Sequence, residues 1–332
     1  MKRYWHVLTP VLLLSMFLAA CSPAATPAPT PTGASSLKIA MLTTGPITDE
    51  GWNQLAYEGL QALKAKGFTV ANTENVAQAD QASDIESYIN QGFNVIIGHG
   101  FEYGDALKAA AAKHPTDYFI QIGGNATAAN LKSYEWTPGE GGYVSGVLAA
   151  KMSKSGKFGF VGAVKIPTIA IEETAYEQAI KAAKPDATIA AAYSGSFSDI
   201  AGAKEAALAQ ISAGVDFILA NGDNANVGAI QAIQQNGPNV LAIGWTLDQA
   251  HLAPANVATS VLQRVDVILS QAVTDIQSGT FKGDNVHVGL TEGMTSLAPF
   301  GPMVPADVQA AVKQAINDVQ SGKVRLPPCS QC

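Results

Sequence analysis

The sequence predicts an α/β protein with two lobes, each a parallel sheet flanked by helices. The first observation is a regular alternation of short apolar segments with longer segments of helical spacing. Near-continuous apolar strands of this kind are typical of parallel sheets covered on both faces. The second observation is that the alternation occurs twice, on either side of a Pro- and Gly-rich stretch at 138–142. A chain of 332 residues is long enough for two such units.

The first run begins at Leu37 and ends near Trp136. It predicts strands at 37–42, 68–70, 94–98 and 118–122, with helices at 52–66, 80–91 and 106–113. The second run begins at Lys157 and predicts strands at 158–161, 188–193, 217–220 and 240–243, with helices at 171–183, 201–213 and 226–235. Ligands of open α/β sheets bind beyond the carboxyl ends of the strands. Two such lobes therefore predict a cleft that holds a small molecule.

The segment before Leu37 is predicted to lie outside the fold. A basic start and an apolar run end at Leu18-Ala19-Ala20-Cys21, which resembles the lipobox of bacterial lipoproteins. The resemblance implies a signal peptide over 1–20 and a lipid on Cys21; an ordinary signal peptide is the alternative. The Pro/Ala/Thr tract at 21–36 is a linker. These features place the protein on the extracytoplasmic face of the cell membrane, held by its lipid.

Composition and motifs argue against several functional classes. The net charge of −7 disfavours a nucleic-acid partner, and three cysteines are too few for a disulfide scaffold. Cys329 and Cys332 form a C-x-x-C in the tail at 327–332, interpreted as a local disulfide or free thiols, with a redox or metal role as the alternative. The sequence has no nucleophile elbow, phosphate-binding loop or clustered metal ligands. We therefore expect a protein that is not an enzyme, with no catalytic residue, metal or cofactor.

Aromatic and polar residues at strand ends are the candidate ligand contacts. Trp52, Phe197 and Trp245 each follow or end a predicted strand, where a cleft ligand would lie. Two flat rings from opposite lobes suit a flat, π-faced ligand, and Asn and Asp side chains can bind its edge. The candidate ligand-binding residues are Thr44, Trp52, Asn53, His99, Gly100, Phe101, Asn125, Phe197, Asn221, Asp223, Trp245 and Asp248.

Several short motifs together resemble one family, the basic membrane proteins, which are substrate-binding lipoproteins of bacterial ABC importers of the purine nucleoside receptor type. The stretches that carry the resemblance are 49–54 with 56–60, 100–101 with 105–106, 140–143 with 149–153, 159–162, 195–199, 259–261 with 264–266, and 289–293. The resemblance implies the type I periplasmic-binding-protein fold, with three crossovers between its lobes. It also implies a purine nucleoside or related heterocycle as ligand, an ABC permease as partner, and a monomer.

The resemblance also assigns roles and boundaries. Trp52 takes the place of a first-lobe ring, Phe197 is the second-lobe ring, and Asn53 is a polar contact to base or ribose. Where nucleoside-binding members hold the ribose with an Asp and a Lys, this chain has Thr246 and Gln263, and the neighbouring Trp245 fills space that the sugar would use. These departures favour a purine base over a nucleoside. The implied lobes comprise 37–137 with 262–284, and 138–261 with 285–326.

Two alternatives to an importer receptor stay open. One is a sensory receptor or binding protein of the same fold for another flat heterocycle, such as a flavin. The other is an exported nucleoside-processing enzyme, which only the expected cleft supports, because a fold does not fix a function.

Overall fold

The computed structural model describes residues 37–328 together with Met1. The expectations for the signal peptide, the linker, Cys21, Cys329 and Cys332 lie outside the described residues. None of the described helices is long and apolar enough to cross a bilayer.

Strands and helices alternate along most of the described chain. The strands are β1 (Lys38–Thr43), β2 (Thr69–Thr73), β3 (Val95–His99), β4 (Tyr118–Ile122), β5 (Leu131–Trp136), β6 (Lys157–Gly162), β7 (Thr188–Tyr193), β8 (Phe217–Asn221), β9 (Leu241–Thr246), β10 (Val257–Gln263), β11 (Asn285–Val288) and β12 (Thr295–Leu297). The helices are α1 (Trp52–Ala65), α2 (Gln81–Asn90), α3 (Gly104–Lys113), α4 (Glu140–Met152), α5 (Pro167–Ala183), α6 (Ile200–Ser212), α7 (Ala225–Gln235), α8 (Val265–Ser278) and α9 (Ala306–Gln320).

The strands form two six-stranded sheets, one in each lobe. The first has the order β11-β5-β4-β3-β1-β2 and is parallel throughout. The second has the order β12-β10-β9-β8-β6-β7 and is parallel except for the antiparallel pair β10–β12. Buried apolar side chains line both faces of each sheet, as parallel sheets require. The predicted fold class is confirmed.

The chain passes between the lobes three times. It leaves the first sheet after β5, returns after β10 to supply α8 and β11, and leaves again before β12. Helix α8 packs against α1 in the first lobe. The expected boundary at 285 is wrong for one strand, because Asn285–Val288 pairs with Ser133–Trp136. Strand β11 covers the edge of β5 that would otherwise be unpaired, so the second lobe resumes only after residue 288.

Helix α4 begins inside the stretch that was expected to break the pattern. It contains Gly141, Gly142 and Gly146, although glycine normally disfavours a helix interior. A Cβ at Gly142 would lie 2.1 Å from the Glu172 carbonyl oxygen, and one at Gly146 would lie 2.4 Å from that of Tyr176. The glycines therefore let α4 pack against α5 at a distance that no other residue would allow, and this packing stabilises the helix.

Candidate functional site

An aromatic cluster lies at the carboxyl edge of the first sheet. Trp52 begins α1, His99 ends β3 and Trp136 ends β5. The Trp52 and His99 rings are stacked, with centroids 4.0 Å apart and an interplanar angle of 27°. Trp136 meets Trp52 edge-on, with centroids 5.4 Å apart at 67°. One face of the Trp52 indole is thus covered by His99, so a flat ligand that stacks on this ring would have to use the opposite face.

Two ring nitrogens of this cluster are buried without a hydrogen-bond partner in the described residues. His99 Nε2 lies 2.8 Å from the Trp52 carbonyl oxygen. Burial lowers the pKa of His99 to about 3, so its ring is neutral. A carbonyl only accepts, so Nε2 carries the hydrogen and Nδ1 is left as a bare acceptor. His99 Nδ1 and the Trp136 Nε1 donor both lack partners, which makes them candidates to bind a ligand or a water.

The turn before α1 is held by its own side chains. Asp49 Oδ1 accepts from the Gly51 and Gln54 N–H groups, at 3.1 and 2.9 Å. Asp49 Oδ2 accepts from both the main-chain N–H and the Nδ2 of Asn53, at 3.0 and 2.7 Å. Asn53 Oδ1 in turn accepts from the Gly45 N–H at 3.3 Å. The amide of Asn53 is therefore engaged within the turn at both ends, and its expected role as a ligand contact stays a prediction.

In the second lobe, Asn221 ends β8 and Asp223 lies two residues further along the chain. Asn221 is buried, and its Nδ2 has no partner in the described residues. Asp223 Oδ1 accepts from the Thr246 hydroxyl at 3.3 Å. Burial raises the pKa of Asp223 to about 7, and the nearby Asp49 carboxylate of the first lobe adds to the rise. The Thr246 hydroxyl and the Trp52 N–H oppose that rise by hydrogen bonding to the carboxylate.

The two lobes touch at this point. Gln249 Nε2 donates to the Glu50 carbonyl oxygen at 3.1 Å, and His251 Nε2 lies 3.2 Å from Glu50 Oε2. Leu247, which follows β9 in the second lobe, packs against the apolar core of the first lobe. The carboxyl edge of β9 therefore faces the start of α1 across the cleft.

Trp245 lies deeper, beside the crossovers. It is 7% exposed and belongs to the apolar core of the second lobe. Its ring lies next to Gly141, where an added Cβ would come within 2.6 Å. The adjoining cavity measures about 20 Å³, room for about one water. Its lining residues are Trp136, Thr137, Gly141, Glu172, Trp245, Val261, Gln263 and Thr295.

The remaining candidates are exposed side chains and one buried glycine. Thr44, Asn125 and Asp248 are exposed. Phe101 and Phe197 are the two exposed large apolar side chains within 37–328, at 68% and 38%. Gly100 has a φ of +137°, which favours glycine there.

Trp52 and Phe197 make no ring contact in the described part of the chain, where the ring neighbours of Trp52 are His99 and Trp136. A stack of both rings on one ligand therefore stays a prediction. Trp136 was missing from the expected set, although it ends a strand in the same way as Trp245. Gln249 was also missing from the expected set, and its place in the sequence carries no signal comparable to a strand end.

Comparison with known proteins places the chain in a family. A family model described as "ABC transporter substrate-binding protein PnrA-like" matches residues 36–324. A purine-binding protein of Brucella abortus is 32% identical over 295 residues, which cover 87% of this chain and 82% of that protein. A nucleoside-binding protein of an ABC transporter from Lactococcus lactis is 27% identical over 318 residues, covering 88% of this chain and 90% of that protein.

A solved structure agrees with the sequence comparisons. The solute-binding protein of an ABC transporter system from Conexibacter woesei has a TM-score of 0.77 and 26% identity, covering 88% of this chain and 98% of its own. The resemblance inferred from the motifs is confirmed, and the chain belongs to the Bmp family of PnrA-like ABC transporter substrate-binding proteins.

Proposed function

We propose that this protein is a lipid-anchored receptor that captures a purine base between its lobes and delivers it to the permease of an ABC importer. The family supplies the coarse role of substrate binding for an ABC transporter. The names of the purine-binding and nucleoside-binding relatives support the ligand class. The structural observation that carries the proposal is the Trp52 indole beside two buried, unpartnered ring nitrogens, His99 Nδ1 and Trp136 Nε1.

A purine matches this chemistry. Its flat ring can stack on the Trp52 face that His99 leaves uncovered. Its edge carries ring nitrogens that accept hydrogen bonds and N–H groups that donate them. A bare imidazole acceptor and an indole donor complement both kinds of group. The unpartnered Nδ2 of Asn221 offers a further donor from the second lobe.

A base is favoured over a nucleoside by the space next to Trp245. The resemblance implies that relatives bind ribose with charged residues at the positions of Thr246 and Gln263, which are both neutral here. Here Trp245 and Gln263 line a cavity of only about 20 Å³. A ribose hydroxyl buried there without a partner would cost about 1–3 kcal/mol. The base should therefore bind more tightly than its nucleoside.

Two measurements test the ligand assignment. Native mass spectrometry of protein purified without added ligand should show a bound mass that matches a purine. Calorimetric titration with adenine, guanine, adenosine and guanosine should then rank each base above its nucleoside. A nucleoside that binds about tenfold tighter than its base, a difference of about 1.4 kcal/mol, would contradict the preference.

A variant pair tests the reason for the preference. Trp245→Ala should improve nucleoside binding relative to base binding, because it removes the ring beside the cavity. Phe93→Ala is the matched control, since that ring precedes β3, at the opposite end of the strand from His99, and does not line the cavity. An unchanged ratio of the two affinities in Trp245→Ala would contradict the steric explanation.

Anchoring and transport are tested separately. Cys21→Ser should move the protein from the membrane fraction to a soluble or unprocessed form, whereas Cys329→Ser should leave it in the membrane fraction. Uptake of labelled adenine should require the protein together with its permease. Binding without uptake would favour the sensory alternative, and turnover of a nucleoside by the purified protein would favour the enzyme. Sedimentation analysis should show a monomer.

A further inference from the structure

Residues with left-handed backbone conformations lie where the two lobes are in contact. Within the described residues, four non-glycine residues have a left-handed backbone: Glu50 (φ 52°), Asn75 (φ 57°), Asp223 (φ 49°) and Thr246 (φ 77°). All but Asn75 lie at the contact between the lobes. A left-handed Thr is especially unfavourable, because its Cβ is branched. Strained residues persist where surrounding contacts determine them, and they cluster in ligand clamps and switches.

The contact is tight and joins the two lobes directly. A Cβ built on Gly51 would lie 2.6 Å from Asp223 Cβ and 2.9 Å from Asp223 Oδ1. The main chain of the first lobe therefore rests against the Asp223 side chain. Thr246 holds that carboxylate with its hydroxyl, and Gln249 donates to the Glu50 carbonyl. We call this set the interlobe latch; its members are Glu50, Gly51, Asp223, Thr246 and Gln249.

Closing the latch places negative charges together. Asp223 of the second lobe comes close to Asp49, whose two oxygens already accept four hydrogen bonds from its own turn. Glu50 of the first lobe adds a third carboxylate, and its titratable neighbour in the second lobe is His251, whose Nε2 lies 3.2 Å from Glu50 Oε2. Asp248 lies on the same segment as His251 but is exposed. A charged Asp223 thus loses water and meets a like charge each time the lobes close.

We propose that Asp223 takes up a proton when the lobes close, so that the interlobe latch holds more strongly in acid and releases as the pH rises. The inference concerns the movement of the lobes and does not depend on which ligand the cleft binds. An open cleft exposes Asp223 to water, which returns its pKa towards the ordinary value of 3.8 from the value of about 7 in the closed form. Between those two pH values, closure is therefore linked to uptake of one proton.

The expected size of the effect follows from the two pKa values. The ratio of closed to open molecules should fall about 25-fold between pH 5.5 and pH 7.5. Above about pH 7 the ratio should level off, because Asp223 is then charged in both forms. A substrate-binding protein with this latch would hold its ligand more tightly in acidic surroundings.

Single-molecule energy transfer on the full-length chain, without ligand, tests the proposal. Donor and acceptor dyes go on Lys108→Cys in α3 and Glu205→Cys in α6, both exposed, after the native cysteines are changed to serine. The unmodified latch should show the 25-fold fall. Asp223→Asn should stay closed at both pH values, since its amide cannot lose a proton. Asp186→Asn, an exposed carboxylate of the second lobe, should behave like the unmodified latch.

Two further variants keep the test decisive. Gly51→Ala should open the lobes at both pH values, because its Cβ would collide with Asp223; circular dichroism should confirm that it folds. His251→Gln should retain the pH dependence. The proposal is overturned if the closed-to-open ratio does not change with pH, if Asp223→Asn keeps the dependence, or if His251→Gln loses it. Failure to find a purine ligand would leave these results unaffected.

Discussion

Replacing Trp52 by alanine tests the centre of the candidate site. The indole is stacked on His99 at 4.0 Å and meets Trp136 edge-on at 5.4 Å. Each such aromatic contact contributes about 0.5–1.5 kcal/mol beyond area burial. Trp52→Ala should therefore lower the free energy of unfolding by about 1–3 kcal/mol through these two contacts alone. A well-folded protein should tolerate that loss, and a urea unfolding curve would measure it.

The same change should weaken ligand binding more specifically. A base stacked on an aromatic ring gains about 1–3 kcal/mol, or about five- to a hundred-fold in affinity. Calorimetry with adenine at 25 °C, where the variant is folded, measures that loss. Trp52→Phe is the matched control, because it keeps a ring at the start of α1 and should lose less. A loss below about twofold for Trp52→Ala would refute the idea that the ligand stacks on this indole.

Three predictions concern the second lobe. Gly146→Ala should lower the free energy of unfolding by about 1–2 kcal/mol, since a Cβ only 2.4 Å from the Tyr176 carbonyl outweighs the gain in helix propensity; unchanged stability in urea would contradict this packing. Burial raises the pKa of Glu172 from 4.5 to about 7. Between these two pH values the folded protein keeps a proton that the unfolded chain has released. The free energy of unfolding should therefore fall by on the order of 3 kcal/mol as the pH rises from 4.5 to about 7. Glu172→Gln should lack that part of the pH dependence, and identical profiles would disprove the assignment. Asp199→Ala removes the acceptor of the Gly202 N–H at the start of α6, 2.9 Å away, and should cost about 1 kcal/mol; a melting temperature within error of the unmodified protein would argue against it.

Local sequence pattern predicted the strands whose residues are mostly apolar. The segments 118–122 and 188–193 match β4 and β7 at both ends, because continuous apolar or β-branched runs have few alternatives in a protein of this class. Strand β5 was missed because Lys132 interrupts its pattern. That lysine is buried, and it lies 3.3 Å from Asp284 and 3.7 Å from Asp275, both supplied by the segment that returns to the first lobe.

The residues of the candidate site that follow the ends of strands were predictable from the sequence. The contacts between the two lobes were not. Trp52 and His99 follow from the rule that ligands lie beyond the carboxyl ends of parallel strands. The contact of Gln249 with Glu50 joins residues 199 positions apart. Its existence depends on the relative position of two separately built sheets, which no local pattern specifies.

The passage of the chain between the lobes also constrains the order in which they can fold. The core of the first lobe joins Ile39 and Met41 of β1 to Val265, Ile268 and Leu269 of α8, about 220 residues further along the chain. Strands β6 to β9 of the second lobe, in contrast, come from the single stretch 157–246. Pairing of nearby segments is faster, because shorter loops lose less entropy on closing. The lobe whose synthesis begins first can therefore complete its core only after the central strands of the other lobe have been synthesised and are available to pair.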